Sequence, residues 1–256
     1  MNKKRINRSS LVAFALSILL IQVTFISAQS ARDIVDKSHE LVYAKSSYSE
    51  FSMTIIKPDW SRTLTMKAWS LEPDYSLIYV LSPARDKGTV TLKREKEVWN
   101  WIPAAQKVIK IPPSMMLQSW MGSDFTNDDL VRSSSVVDDY EHKILASEKI
   151  DSYECYKIES IPKPEAGVVW GKIITWITKT GFMQLKSEFY DEDGFIIKTF
   201  RGSDIKTLGG RTFPAKWEMI PQDKPGNKTV IEYHQIKFNF KIDESFFSQQ
   251  NMKRVR

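Results

Sequence analysis

Few residues of the sequence have the types and spacing of a catalytic site. The three histidines, His39, His142 and His234, do not lie in a recognisable nucleophile and base pattern. The sequence has no G-x-S-x-G motif, no H-E-x-x-H motif, no paired cysteines and no phosphate-binding glycine loop. We therefore expect a protein that is not an enzyme, with no catalytic residue, no metal site and no cofactor.

The acidic clusters have simpler interpretations than metal binding or acid catalysis. Residues 191–194, with the sequence DEDG, lack the closing Glu of a calcium loop and are typical of a hairpin turn. Asp128 and Asp129 follow Thr126 and Asn127, a pattern that predicts the start of a short helix with carboxylates near its positive end. Cys155 is the only cysteine, so no intrachain disulfide is possible.

Large apolar side chains concentrate instead in residues 99–125, which contain three Trp, three Pro and three Met. Prolines and turn residues interrupt this segment too often for a core helix. The flexible thioether of Met fits apolar partners of variable shape, and Trp suits surfaces that are apolar at one end and wet at the other. The segment therefore closes one end of a sheet, contacts an apolar ligand, or does both. The predicted ligand or lid contacts are Trp69, Trp101, Met115, Met116, Trp120, Met121 and Phe125.

The first 28 residues have the layout of a secretory signal peptide. A basic start is followed by an apolar run over residues 11–26 and by small residues suited to cleavage after Ala28, with Ser30 as a second choice. A retained membrane anchor is the alternative. Removal of this segment would take four positive charges from the net charge of +6 and leave about +2, so a nucleic-acid partner is not indicated. We expect a periplasmic protein with one domain over residues 29–256.

The rest of the sequence predicts one helix followed by many short strands. Apolar residues at helical spacing predict a helix over residues 31–45, and period-two patterns follow from residue 51 onward. The β pattern stops between Ser114 and Arg132 and then resumes to about residue 240, with turns such as Asp193-Gly194. This arrangement predicts a mainly β protein of about eleven strands, built as an antiparallel barrel or a strongly curved sheet.

Residues 47–125 resemble the outer-membrane lipoprotein-sorting proteins, the LolA-like family. The resemblance rests on SSYSEFSMTI after the first helix, on the strand pair LTMKAWSLEPDYSLIYVLSP, and on EVWNWIPAAQKVIKI. The most specific match is SWMGSDFTNDDL, residues 119–130. The resemblance implies an incompletely closed antiparallel barrel, a half-barrel, with short helices covering its mouth.

The resemblance also implies a periplasmic carrier or chaperone that holds the acyl chains of lipoproteins or lipids in an apolar cavity and moves them towards the outer membrane. Its partners would be an inner-membrane transporter and an outer-membrane acceptor. Carriers of this family use a strand arginine in cargo hand-over, and Arg62 lies in the corresponding neighbourhood. The alternative is a non-catalytic module that docks on an envelope transporter complex through exposed aromatic residues. A lipid-processing enzyme is a third, weaker possibility.

Overall fold

The computed structural model describes residues 30–132 and 136–256, so the predicted signal peptide lies outside the described residues. Residues 31–256 form one compact unit. Within the described ranges no helix has the length and apolar character needed to cross a membrane. The helices are α1 (Ala31–Val42), α2 (Asn127–Arg132) and α3 (Gln249–Met252).

Strands make up most of the fold. They are β1 (Ser46–Lys57), β2 (Trp60–Leu71), β3 (Tyr75–Ser82), β4 (Val90–Arg94), β5 (Glu97–Ile102), β6 (Lys107–Lys110), β7 (Tyr140–Ile150), β8 (Tyr153–Pro162), β9 (Lys172–Thr178), β10 (Gln184–Tyr190), β11 (Ile196–Leu208), β12 (Arg211–Pro221) and β13 (Lys228–Phe238).

All thirteen strands form a single antiparallel sheet whose order is β6-β5-β4-β3-β2-β1-β13-β12-β11-β10-β9-β8-β7. Strands that are consecutive in sequence pair with each other, except β6 and β7. The first strand also pairs with the last, from Ser47 opposite Phe238 to Ile56 opposite Lys228. Strands β6 and β7 are edges, so the sheet does not close. The predicted half-barrel is confirmed. Within the described residues it has thirteen strands rather than about eleven.

Alternation along the strands gives the sheet two apolar faces. The inner face is defined here as the face that packs against residues 111–132, the connection from β6 to the end of α2. The first half of the sheet consists of β1–β6. On its inner face lie Phe51, Met53 and Ile55 of β1 with Leu64 and Met66 of β2, all buried. Side chains at even spacing point to the same face, so these positions form a continuous apolar floor.

The outer face of β3, β4 and β5 is covered by the end of the chain. Phe247, Met252 and Val255 pack against Leu77 and Leu92 in one buried cluster. The C-terminal strap, residues 239–256, is therefore part of the core, and the sheet in this region is apolar on both sides. Because both faces of β3 are buried, its sequence has apolar residues at consecutive positions.

Helix α1 covers another part of the inner face, as the sequence predicts. Ile34 and Val35 pack with Ile158 of β8 and Ile177 of β9. These two strands belong to the half of the sheet formed by β7–β13. The helix therefore covers a different part of the inner face from the cluster on β1 and β2. Asp33 lies in the first turn, where the positive end of the helix dipole stabilises a carboxylate.

Candidate functional site: the covered inner face

The most distinctive feature of the inner face is the segment that covers it. We call residues 111–132 the cover segment. It begins after the edge strand β6, passes through Pro112 and a 3₁₀ turn at Pro113–Met115, and ends with α2. A short bridge pairs Ser119 with Thr126, so the middle of the segment is a small hairpin. The chain thus folds back over the sheet without joining its ladder.

Four apolar side chains of the cover segment pack onto the inner face. Trp120 is 3% exposed and belongs to the buried cluster of β1, β2 and β3. Its indole Nε1 donates a hydrogen bond of 3.1 Å to Oγ1 of Thr91 in β4. Met121, Phe125 and Leu130 pack against the same cluster. The ring of Phe125 also lies edge-on to Phe200 of β11, with 6.0 Å between centroids, so the segment bridges the two halves of the sheet.

A strained turn directs one carbonyl of the cover segment towards the sheet. Met121 and Gly122 both have positive φ angles, 52° and 80°, and the amide of Ser123 donates to the carbonyl of Trp120 at 2.9 Å. This is a type I′ arrangement, in which glycine is favoured and a methionine is unusual. The carbonyl of Met121 accepts a 2.6 Å hydrogen bond from Nη2 of Arg62 in β2. The turn therefore places a backbone acceptor on a sheet arginine.

Two lysines of the sheet bind carboxylates of the cover segment. Nζ of Lys57, at the end of β1, lies 2.6 Å from Oδ1 of Asp124. Asp124 also accepts from the hydroxyl of Thr229 at 2.7 Å through Oδ2, and its amide donates to the same hydroxyl oxygen at 2.9 Å. Nζ of Lys198, in β11, lies 2.7 and 2.9 Å from the two carboxylate oxygens of Asp129. The segment is thus held at its edge by charge and on the floor by apolar packing.

Local sequence explains why Asp129 is available to Lys198. Thr126 and Asp129 form a capping box at the start of α2, since the amide of Thr126 donates to Oδ2 of Asp129 and the amide of Asp129 donates to Oγ1 of Thr126. The predicted helix start at these residues is confirmed. The side chain of Asn127 donates to the carbonyl oxygens of Met115 and Gln118 and fixes the preceding turn.

Comparison with known proteins connects this architecture to a family. A family model described as "-like: Uncharacterized protein" matches residues 72–254, more than half of the chain. The chain belongs to this family. No curated protein matches its sequence.

Solved structures with the same fold include three bacterial proteins. A DUF1329 family protein from Desulfovibrio piger is 23% identical with a TM-score of 0.78, and the match covers 87% of this chain and 97% of that one. A candidate outer membrane lipoprotein-sorting protein domain from Vibrio parahaemolyticus is 24% identical with a TM-score of 0.76, covering 88% and 98%. A LolA superfamily protein from Nitrosomonas europaea is 22% identical with a TM-score of 0.74, covering 88% and 100%. The resemblance seen in the sequence is confirmed, and the family member described here has the LolA-like fold.

The structure brings together some of the predicted site residues of this LolA-like protein. Trp120, Met121 and Phe125 share one cluster on the inner face, and Arg62 lies directly beneath their turn. Gly122 also lies near Arg62, since a Cβ added to this glycine would lie 3.8 Å from Nη2 of Arg62. These four predicted residues therefore form one site, although their role in ligand binding stays a prediction.

The other predicted residues lie elsewhere. Trp69 and Trp101 pack on the outer face against the C-terminal strap, where Trp69 lies 5.4 Å from the ring of Phe246. Met115 is 38% exposed on the cover segment, and Met116 is half-buried beside it. The structure therefore separates the two strand tryptophans from Trp120, because their odd positions in β2 and β5 point away from the cover segment.

Sequence reasoning missed Lys57, Lys198 and Thr229. A lysine at a strand end is usually a solvated surface residue, and nothing in its immediate neighbourhood shows that a distant segment supplies its partner. One signal was present for Lys57, which shares the strand face of the apolar residues Met53 and Ile55. A charged residue in phase with an apolar face indicates either an end of the strand or a buried ion pair.

Other polar groups near the inner face are buried and electrostatically perturbed. Desolvation lowers the pKa of Lys93, whose Nζ donates to the carbonyl of Pro73 at 2.7 Å, and burial raises the pKa of its neighbour Glu72 although Lys93 opposes that shift. Burial also raises the pKa of the Tyr233 phenol, so this ring remains neutral. At each of these positions burial disfavours the charged form of the group.

The remaining features offer less chemistry. Among the described residues, no group of three or more His, Cys, Asp or Glu side chains is arranged to hold a metal ion. A separate cleft of about 740 Å³ is lined by the end of α1 and by sheet turns, including Leu41, Tyr43, Glu72, Phe182 and Arg211. Its lining mixes both signs of charge.

Proposed function

We propose that this protein is a periplasmic carrier without catalytic activity, which binds acyl chains of lipids or lipid-modified proteins on its inner face and moves them towards the outer membrane. The observation that carries the proposal is the inner face itself, a continuous apolar floor covered by a segment outside the sheet ladder. The LolA-like fold supports it, since two neighbours in that fold are named for lipoprotein sorting or for the LolA superfamily. The predicted signal peptide supports the location.

The cover segment acts as a lid in this proposal. Its apolar side chains occupy the position that an acyl chain would take, so binding exchanges one apolar filling for another. Transfer of a long acyl chain into water costs about 0.8 kcal/mol per methylene, or about 10 kcal/mol in total. Displacing Trp120 and Phe125 from the floor costs free energy, which offsets part of the free energy gained by shielding the acyl chain from water. The cargo is therefore bound loosely enough to be released.

The lid can move without disrupting the sheet. It lies between β6 and β7, the two edge strands, and none of its residues belongs to the thirteen-stranded ladder. At its first residue the amide of Ile111 donates to the carbonyl of Val98 in β5 at 2.8 Å. Beyond that point its attachments to the sheet include apolar contacts and polar contacts made by Thr91, Lys57, Arg62, Thr229 and Lys198. Hydrogen bonds between strands can therefore persist when the lid opens.

Photo-crosslinking tests the location of binding directly. The mature protein is titrated with a fatty acid that carries a diazirine in its chain, irradiated, digested and mapped by mass spectrometry. We expect saturable labelling of inner-face residues such as Met53, Met66 and Phe200, because these line the floor beneath the lid. Labelling confined to the outer face, at Trp69 or Trp101, or no saturable binding, would contradict the proposal.

A second candidate function is a docking module that holds no cargo. It is favoured by the filled inner face and by an exposed apolar tip between β10 and β11, where Phe195 is 69% exposed and Ile196 and Ile197 are each 37% exposed. Failure of the crosslinking experiment together with retained folding would favour this candidate. The tip would then be the first surface to test for contact with a transporter.

A further inference from the structure

The cover segment has the chemical layout of an amphiphile. Its apolar side chains, including Trp120 and Phe125, lie on the floor, while Asp124, Asp129 and the carbonyl of Met121 lie against cations of the sheet. An acyl chain with an anionic headgroup would present the same two kinds of group. The segment therefore shows which ligand chemistry the inner face can accommodate.

The cations belong to the sheet and stay when the cover segment moves. We call Lys57, Arg62 and Lys198 the rim cations. Lys57 and Arg62 lie near the hairpin end of adjacent strands, since Ile55 pairs with Arg62 and Lys57 with Trp60. Lys198 lies three strands from β1 in the sheet order, opposite Pro221 of β12. All three lie at the same end of the inner face.

Displacement of the cover segment removes the carboxylate partners of Lys57 and Lys198 and the Met121 carbonyl that Arg62 binds. Lys198 is 5% exposed as a residue, and the Lys57 side chain is 17% exposed. Arg62 keeps one carboxylate partner, Asp86 of the loop between β3 and β4, whose Oδ1 lies 3.8 Å from Nη1 of Arg62. A ligand that takes the place of the cover segment buries these cations again, and burying a cation without a counter-ion is costly. A ligand that supplies negative charge is therefore favoured.

Arg62 also has hydrogen-bonding capacity that its present contacts do not use. Its Nη2 donates to Met121, but its Nε is buried and has no hydrogen-bond partner among the described residues. Oδ2 of Asp86 is likewise buried and unpartnered within the described part of the chain. A guanidinium can bind a carboxylate or phosphate through two parallel N–H groups, which the single carbonyl of Met121 does not exploit.

We propose that the preferred ligand of the inner face is an anionic amphiphile, whose carboxylate or phosphate headgroup binds the rim cations and whose acyl chain replaces the side chains of the cover segment. This inference rests on the proposed carrier function and names the ligand class of the same site. The cover segment is then an internal substitute for the ligand. Neutral diacylglyceryl groups would bind more weakly, because they would supply no anionic partner for Lys57 and Lys198.

The test compares probes that differ only in headgroup charge. cis-Parinaric acid and its methyl ester have the same fluorescent chain, and their dissociation constants are measured with the mature wild-type protein. We expect the acid to bind at least about tenfold more tightly, since charge-assisted hydrogen bonds contribute more than neutral ones. Competition by oleoyl lysophosphatidic acid and by oleoylglycerol repeats the comparison with a phosphate headgroup and shows which anion is preferred.

Two variants break the same ion pair from opposite sides. Lys198→Gln removes a rim cation and should reduce the preference for the acid over the ester several-fold. Asp129→Asn removes its partner on the cover segment and should strengthen binding of both probes while leaving the preference unchanged. Both variants loosen the segment, so the ratio of the two dissociation constants separates headgroup recognition from opening. Lys224→Gln, in an exposed turn, is the control with the same loss of charge.

Each outcome separates the inference from the function on which it rests. Equal binding of acid and ester by the wild-type protein, together with equal competition by the two oleoyl compounds, would overturn the anionic-ligand inference and leave the carrier function intact. An unchanged ratio in both Lys198→Gln and Lys57→Gln would overturn the assignment of the rim cations. No binding of either probe would overturn the carrier function itself.

Discussion

The surroundings of His142, in β7, predict that the stability of the protein depends on pH. Its Nδ1 lies 2.8 Å from Oγ of Ser160, and its Nε2 lies 3.3 Å from the carbonyl oxygen of Val137. Burial lowers the pKa of His142, and the nearby positive charges of Arg32 and Lys163 act in the same direction. The folded protein therefore binds a proton at this site less readily than the unfolded chain does.

This shift predicts a loss of stability in mild acid. Because the folded pKa is depressed, the contribution of His142 is fully present above its unfolded pKa of about 6.5 and is lost as the pH falls through that value towards the folded pKa. We expect the free energy of unfolding in urea to decrease between pH 7.5 and pH 5. His142→Asn, which retains polar atoms to meet Ser160, should show a smaller decrease. An identical pH dependence in the variant would assign the effect to other groups.

The capping box at Thr126 and Asp129 illustrates what single residues reveal in the sequence. Both partners lie within four positions, so local spacing predicts the helix start correctly. The contact between Asp129 and Lys198 joins residues 69 positions apart, and no local pattern indicates it. Prediction at the level of residues thus succeeds for contacts between residues close in sequence and fails for contacts between residues far apart in sequence.

At the level of elements, the C-terminal strap contributes to the core rather than to the site. Phe247 is fully buried against β3 and β4, and its backbone carbonyl accepts a hydrogen bond from Arg94. Phe247→Ala should reduce the free energy of unfolding by about 3–5 kcal/mol, because it leaves a cavity in a packed cluster. Phe195→Ala, at an exposed turn, should change it by less than about 0.5 kcal/mol. Urea denaturation of both variants provides the comparison, and similar costs would show that the strap does not pack as described.

The strand pattern is predictable from the sequence, whereas the face that each strand turns to the site is not. Alternation places Trp99 and Trp101 together on one side of β5, and this is confirmed. It does not say that this side meets the strap while Thr91 of β4, on the other side, meets Trp120. That distinction depends on where residues 111–132 and 239–256 pack. Neither segment has a strand or helix period that would fix its position.

At the scale of the whole molecule, the open sheet is compatible with the proposed movement of the cover segment. The first and last strands pair over ten positions and join the two halves, while the edges β6 and β7 remain unpaired with each other. The cover segment connects these edges and bridges the halves through Trp120 and Phe125. Opening therefore exchanges contacts on one face and leaves the join between β1 and β13 intact.

This architecture couples lid packing to affinity in a thermodynamic cycle. If ligand replaces the cover segment, a change that weakens only its packing destabilises the empty protein and leaves the bound state unaffected. The free energy of binding then becomes more favourable by the amount that the free energy of unfolding has decreased. Phe125→Ala should lose about 2 kcal/mol of stability and bind an acyl probe about thirtyfold more tightly.

The matched variant is Phe246→Ala, which removes the same side chain from the outer face. It should lose stability with no gain in affinity, because Phe246 is not displaced by ligand. Melting temperatures at saturating probe should become nearly equal for wild type and Phe125→Ala, while Phe246→Ala remains lower. A Phe125→Ala variant that loses stability and affinity together would instead show that the cover segment stays over the bound chain and contacts it directly.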